Sequence, residues 1–167
     1  MITITEAFVE DITKIQEIAN ITWPVTYGGI LTAEQLDYML DLIYSNEALS
    51  KQIQNKEQLF YLVSDSESVI GFIGIEHNYE NTAVTKIHKI YLLPETQGKG
   101  YGKKVFEFIE KSALENNSLV LLLNVNRFNV ALNFYKKIGF EIKGTVDIEI
   151  GNGFLMEDYL MGKNILR

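Results

Sequence analysis

The stretch "TAVTKIHKIYLLPETQGKGYGKKVFEFIEKSALENNSLVLLLNVN", residues 82–126, constrains the fold more than any other part of the chain. It opens on a strand-like segment that Pro94 stops, because the residue before a proline is pushed out of helical backbone and the proline itself cannot donate to a ladder. Ile87, Ile90 and Leu92 break strict alternation, which predicts a β-bulge that re-aims one side chain. Gly98, Gly100 and Gly102 then stand at alternate positions just before an amphipathic run whose apolar stripe is Tyr101, Val105, Phe108, Ile109 and Ala113. That helix is predicted to end near Asn116 and Asn117. "SLVLLLNVN" follows as an almost wholly apolar strand, the pattern of one buried on both faces. The crossover 98–116 therefore links two strands that would run parallel.

The flanking segments fill in the rest. "MITITEA" alternates like a short strand. From Asp11 onward Ile12, Ile15, Ile18, Ala19 and Trp23 fall on one helical face, and Pro24 is expected to end that helix. "TAEQLDYMLDLIY" carries Thr32 and Gln35 at capping-box spacing, then Leu36, Met39, Leu40 and Ile43 as the apolar stripe. "NEALSKQIQN" is a candidate further short helix. "LFYLVSD" and "VIGFIGIEHN" flank the polar "SES" as an antiparallel hairpin. "NVALNFYKKIGF" reads as a short helix closed by Gly139, and "FEIKGTVDIEI" with "FLMEDYLMGKNI" forms a hairpin around "GNG". The order β-α-α-β-β-β-α-β-α-β-β is an α/β (α+β) arrangement: a mixed, mostly antiparallel sheet of about seven strands with about four helices, read as one domain over 1–167.

Composition excludes several functions. The chain has no cysteine, so disulfides and thiolate catalysis are out, and zinc would rely on two histidines and carboxylates; no metal site is expected. No apolar run reaches the length of a membrane span, and the first residues lack the basic-then-apolar layout of a secretory signal, so a cytoplasmic location with no membrane partner is expected. A net charge of −7 argues against nucleic-acid binding and suits a cationic substrate, though acidity also simply keeps proteins soluble.

Glycine inside a helix costs roughly 1 kcal/mol against alanine, and it is retained where backbone approaches a ligand or adopts positive φ. A Walker loop does not fit: Gly98 precedes Gly102-Lys103 by only four positions and Lys104 replaces the magnesium-binding hydroxyl. A dinucleotide fingerprint fails because position 103 is Lys103 and an antiparallel meander precedes the loop. What remains is Gln97-x-x-Gly100-x-Gly102 between a strand and a helix N-terminus, a turn able to aim backbone N–H groups at an anion, with Lys99, Lys103 and Lys104 adding positive charge. The alternative is a glycine-rich turn with a solvated basic face.

Together with Leu92-x-Pro94 upstream and Ala131-x-x-Phe134-Tyr135-x-Lys137-x-Gly139-Phe140 downstream, this loop resembles the GNAT superfamily of acetyl-CoA-dependent N-acetyltransferases. The resemblance is specific over roughly residues 86–140. It implies that the backbone of Gln97, Gly98, Lys99, Gly100, Gly102 and Lys103 cradles the diphosphate of acetyl-CoA as co-substrate. It also implies that the strands ending at Leu92 and Asn126 splay apart around the pantetheine arm. The Leu92 N–H becomes the family-like donor to the thioester oxygen, and Leu92 also a cofactor contact. Tyr135 becomes the acid for the leaving thiolate, against the alternative of a buried core aromatic.

The base is less defined. Where many relatives carry a carboxylate on the strand before the loop, this chain has Lys86 and His88. His88 can accept a proton near neutral pH, although a lone strand histidine also serves structure; Glu76 and His77 are alternatives. The asparagine the family commonly places three residues before Ala131 is Phe128 here, so Asn126 or Asn129 would substitute, Asn129 being the candidate cofactor contact. In the family's layout "NITWPVTYGGILTAEQ" overhangs the acceptor, making Trp23 and Tyr27 a candidate aromatic wall.

The tail "FYKKIGFEIKGTVDIEIGNGFLMEDYLMGK" is similar to the bacterial spermidine/spermine acetyltransferase branch. It implies a polyamine-like amine acceptor, with a protein N-terminal amine or an antibiotic amine as alternatives. A non-catalytic acetyl-CoA-binding sensor is a different class of reading, favoured by the absent carboxylate. A homodimer is compatible with the resemblance, and no feature of the chain decides it.

Overall fold

A computed structural model describes residues 1–166. The elements are β1 (Ile2–Glu6), α1 (Ile12–Tyr27), α2 (Ala33–Tyr44), α3 (Asn46–Gln54), β2 (Leu59–Asp65), β3 (Ser68–Glu76), β4 (Val84–Leu92), α4 (Tyr101–Glu115), β5 (Val120–Asn126), α5 (Ala131–Lys137), β6 (Glu141–Gly151) and β7 (Phe154–Asn164). The seven strands are ordered β1-β2-β3-β4-β5-β7-β6. The pairs β1–β2, β2–β3, β5–β7 and β6–β7 are antiparallel, and β4–β5 is parallel. The mixed, mostly antiparallel sheet is the one anticipated, and the segment "NEALSKQIQN" forms the fifth helix, α3.

The residues group into two compact units, 1–76 with 88–109, and 77–87 with 110 onward. In the first, Phe60, Val63, Phe72, Ile73 and Ile75 of the β2–β3 hairpin are buried together with Ile15 and Ala19 of α1. One prediction fails here. Pro24 lies inside α1, which runs on to Tyr27. A mid-helix proline costs about 3 kcal/mol through a lost hydrogen bond and a clash. The turn survives because Trp23 and Tyr27, at i and i+4, are both buried, and because the Gly28 N–H closes back on the Pro24 oxygen at 2.9 Å. Thr32 caps α2 as its spacing predicts, its hydroxyl accepting from the Gln35 N–H at 3.1 Å. Ser45 does the same for α3 at Ala48.

In the second unit β5 alternates buried and half-buried residues from Val120 to Asn124, so the apolar run is covered more on one face than the other. α5 ends as predicted, with Gly139 at φ +105° and the Phe140 N–H returning to the Tyr135 oxygen at 2.9 Å. The β6–β7 hairpin turns at Asn152 and Gly153, both left-handed, as a two-residue hairpin loop requires. Along α4 the buried residues are Val105, Phe106, Ile109 and Ala113. Phe106 belongs to the core stripe that the sequence pattern assigned to Phe108, which instead lies half-buried, edge-on to Tyr61 at 5.0 Å.

Candidate active site

The first unit holds the end of β4, the glycine loop and the head of α4. Gly74 and Glu76 share a face of β3. His88 reaches that face, its Nε2 lying 2.9 Å from Glu76 Oε1, and a Cβ at Gly74 would stand 3.5 Å from Cβ of Lys89, the very next residue. Consecutive residues of one strand meeting the same face is what an extra residue does, so β4 carries the bulge its broken alternation predicted. Past it, Tyr91 and Leu92 come very close to β3, and the Leu93 N–H donates to the Ile70 oxygen at 2.8 Å.

The chain then folds through a 3₁₀ turn, Pro94–Thr96, with Thr96 buried and its hydroxyl bonded to the Leu93 oxygen at 2.6 Å. Gly98 and Gly100 have φ of +83° and +76°, and a methyl group at either would meet nothing within 4 Å. Glycine is therefore needed for its left-handed backbone, and the loop's outer face is open. Gly102 differs: it sits in the first turn of α4 without a positive φ. Within the loop the Gln97 and Lys99 N–H groups turn inward, to Pro94 and Thr96 oxygens at 3.1 and 3.3 Å. The first-turn amides of α4 are the ones whose helical geometry leaves them directed outward. The head of α4 is moored by Tyr101, whose hydroxyl donates to Asp65 at 2.5 Å, while Asp65 also receives the Met1 ammonium at 3.1 Å. These two donors hold the Asp65 carboxyl below its usual pKa, the tyrosine contributing most. A left-handed turn beside a fifteen-residue helix, with three lysines and an open outer face, fits the diphosphate of coenzyme A.

Trp23 and Tyr27 are only 3% and 7% exposed. Their rings belong to a cluster with Tyr44, Phe72 and Tyr91, at centroid separations of 4.6 to 5.8 Å. Trp23 Nε1 donates to the Tyr44 hydroxyl at 3.2 Å, and the Tyr27 and Tyr91 hydroxyls are 3.1 Å apart. Burial pushes the Tyr44 pKa up. Tyr91, one residue before Leu92, is the cluster's half-buried member, and the sequence reading passed over it. Lys89 was passed over as well. It is buried, with Nζ donating to Gln52 at 2.7 Å and Gln58 at 2.9 Å and lying 5.0 Å from the Phe60 ring centre.

The second unit holds the remaining candidates. Tyr135 is buried on α5 between Phe134 and Phe140, with ring centres at 5.9 and 6.0 Å. Asn126 and Asn129 both use their side-chain oxygens locally, accepting from the Phe128 and Ala131 N–H groups at 3.0 and 2.9 Å. They shape the turn into α5, and Phe128 itself is exposed. His77 has both ring nitrogens engaged, with Thr85 at 2.8 Å and Ser112 at 3.1 Å, and Thr85 passes the chain on to Ser118 at 2.7 Å. Desolvation lowers the His77 pKa. A ring so tied serves structure. Lys86 donates to the Asn124 oxygen, and Asn124 in turn bonds Asp158. Asp158 is buried, its Oδ1 lacks a partner, and desolvation raises its pKa. Among the described residues no group of three histidines or carboxylates is placed to hold a metal, and no helix is long and apolar enough to cross a membrane.

The end of β4, the glycine loop and the head of α4 thus lie in one unit, and the buried Tyr135 of α5 lies in the other. Residues 31–159 match the acetyltransferase (GNAT) domain family. Over 161 residues the chain is 32% identical to spermidine N(1)-acetyltransferase of Thermoplasma acidophilum, covering 93% of this chain and 96% of that one. A Bacillus subtilis N-acetyltransferase, YuaI, is 26% identical over 164 residues, 92% of this chain and 93% of that one. Among solved structures, the PaiA N-acetyltransferase of T. acidophilum in complex with coenzyme A superposes with a TM-score of 0.82 at 28% identity, covering 98% of this chain and 99% of that one. The chain belongs to the GNAT family and is an N-acetyltransferase whose acetyl donor is acetyl-CoA.

Proposed function

We propose that the chain moves acetyl from acetyl-CoA directly to a primary amine of a small, polyamine-like molecule in the cytoplasm, as a single domain. The observation that carries the acceptor class is the full-length similarity to a spermidine N(1)-acetyltransferase; the family match spans both structural units, which supports one domain. A net charge of −7 favours a polycation over nucleic acid.

Bound acetyl-CoA supplies an activated thioester; the chain supplies everything else. The outward amides at the head of α4, with Lys99 and Lys103, hold the diphosphate. The Leu92 N–H donates to the thioester oxygen as charge gathers there. An alkylammonium must lose its proton before attack, and His88 takes it, directly or through water, with Glu76 at 2.9 Å orienting the ring and stabilising the imidazolium. The Tyr135 hydroxyl protonates the thiolate that leaves as the C–S bond breaks, the proton shed by the newly acylated nitrogen restores the tyrosine through solvent, and Asn129 supports the cofactor arm. Trp23 and Tyr27 act on the acceptor side through Tyr91, which they hold by ring contact and hydroxyl.

The His88–Glu76 pair provides the basic group whose absence would favour a non-catalytic sensor. The test is a panel of spermidine, small diamines, amino acids, an aminoglycoside and N-terminal peptides, incubated with acetyl-CoA and a thiol reagent. Release of CoA-SH with spermidine or a diamine above the others is expected. Release only with peptides or the aminoglycoside would reject the polyamine class, and acetyl-CoA binding without release would make the protein a sensor.

A further inference from the structure

The β3 strand contains two buried glycines, Gly71 and Gly74, in a run that is otherwise isoleucine and phenylalanine. Glycine weakens a strand interior, and when it persists there it commonly marks close approach of another backbone. The two positions differ in what a methyl group would strike. At Gly74 the tight contact is 2.6 Å to the far end of the Gln58 side chain, which can swing away. At Gly71 it is 2.4 Å to the main-chain oxygen of Tyr91, 2.5 Å to Cδ2 of Leu92 and 3.2 Å to the Leu92 Cα. No rotamer change clears an overlap with backbone. Gly71 thus sits under the peptide that joins Tyr91 to Leu92, the peptide whose N–H is the donor of the proposed mechanism. Immediately beyond, the Leu93 N–H ties back to the Ile70 oxygen at 2.8 Å, so the peptide is clamped from the neighbouring residue of β3 too.

We infer that Gly71 is a positioning residue for acetyl transfer: the missing side chain lets β4 close onto β3 after its bulge and sets where the Leu92 N–H points. This rests on the acetyltransferase reading above. An oxyanion donor works only within a few tenths of an ångström of its place, and a displacement near 1 Å costs on the order of a hundredfold in rate. The grip on the diphosphate, by contrast, lies at the helix head and does not pass through β3.

The experiment compares Gly71→Ala with Gly74→Ala. Gly71→Ala is expected to lower kcat about 10- to 100-fold at saturating substrates while changing the calorimetric Kd for CoA by less than about threefold. Gly74→Ala should lose stability but keep kcat. In ¹⁵N-labelled wild type the Leu92 amide resonance should shift more with acetyl-CoA than with CoA, because only the former offers a thioester carbonyl; in Gly71→Ala that difference should vanish. Should Gly71→Ala fail to fold, Leu92→Gly keeps the N–H and removes the Cδ2 overlap. Gly71→Ala/Leu92→Gly measured against Leu92→Gly should then show the same drop in kcat. A folded Gly71→Ala protein with wild-type kcat, or a loss matched by Gly74→Ala, overturns the inference. A wild type that turns over no amine yet shows the Leu92 shift, lost in Gly71→Ala, would refute the enzymatic reading while upholding Gly71's placing of the Leu92 N–H against bound acetyl-CoA.

Discussion

Lys89 should give this protein a stability that rises with pH through the mildly alkaline range. Its ammonium is buried, its two acceptors are the neutral amides of Gln52 and Gln58, and desolvation carries its pKa from 10.5 down to about 7, against a small opposing pull from Glu57. Because folding depresses the pKa of a basic group, the unfolded chain binds more protons than the folded one between those two values. Unfolding free energy therefore increases with pH across that window. The limiting slope is about 1.4 kcal/mol per pH unit, and since the folded group is still half protonated near pH 7, the gain from pH 7 to pH 9 comes to about 2 kcal/mol. Lys89→Met keeps the length of the chain against Phe60 and removes the titration. The two glutamines are only half-buried and can turn to water. Denaturant midpoints at pH 7, 8 and 9, with the slope of the transition held common, should climb for wild type and stay flat for the variant. The contact of the Met1 ammonium with Asp65 is common to both proteins and cancels in the comparison. Parallel pH curves for the two proteins would refute the reasoning.

Other substitutions separate binding from chemistry. Tyr135→Phe keeps the ring packed against Phe134 and Phe140 and removes only the hydroxyl, so kcat should fall about 100-fold with little change in acetyl-CoA affinity; unchanged turnover near pH 7 removes Tyr135 from the mechanism. Gly98→Ala forces a side chain into left-handed backbone, a strain of about 1–2 kcal/mol, with no steric clash to add; calorimetry should show CoA binding weakened by about tenfold while kcat at saturation holds. Asp158 is an acid whose pKa is raised by burial, so wild type loses stability as pH climbs from the unfolded carboxyl value through the folded one. Asp158→Asn escapes that loss, and its stability relative to wild type should improve from pH 4 to pH 7 in thermal melts. A constant difference would mean that Lys86 and Arg127 already offset the burial.

Legibility from sequence followed the reach of each physical rule. Strands, hairpins and the glycine loop were readable because alternation, turn residues and positive-φ glycines are local: Gly139, Asn152 and Gly153 stand where their backbone requires them. Pro24 misled because its cost is local while its compensation, the burial of Trp23 and Tyr27, is tertiary. Phe106 and Phe108 were exchanged because a stripe on α4 can rotate by part of a turn and still satisfy the 3.6 period. Tyr135 and the loop were singled out by their resemblance to the family's motifs. The His88–Glu76 pair joins residues on two strands, and no pattern within either strand announces it. Lys89 reads in sequence as one more lysine, and only the amides of Gln52 and Gln58 explain how it is tolerated inside.

The same logic explains why β4 places three basic residues, Lys86, His88 and Lys89, in four positions. In a regular strand His88 and Lys89 would face opposite sides of the sheet, one toward solvent and one into the core. The bulge turns both to the face shared by Gly74 and Glu76, where the two differ in depth. His88 lies at the exposed end beside Glu76, whereas Lys89 is sunk among glutamine side chains and the Phe60 ring. The extra residue thus also separates in depth a histidine paired with Glu76 from a lysine whose pKa burial lowers to about 7. Removing Lys89's charge should alter stability without moving the acid limb of the rate profile, and removing His88 should do the reverse.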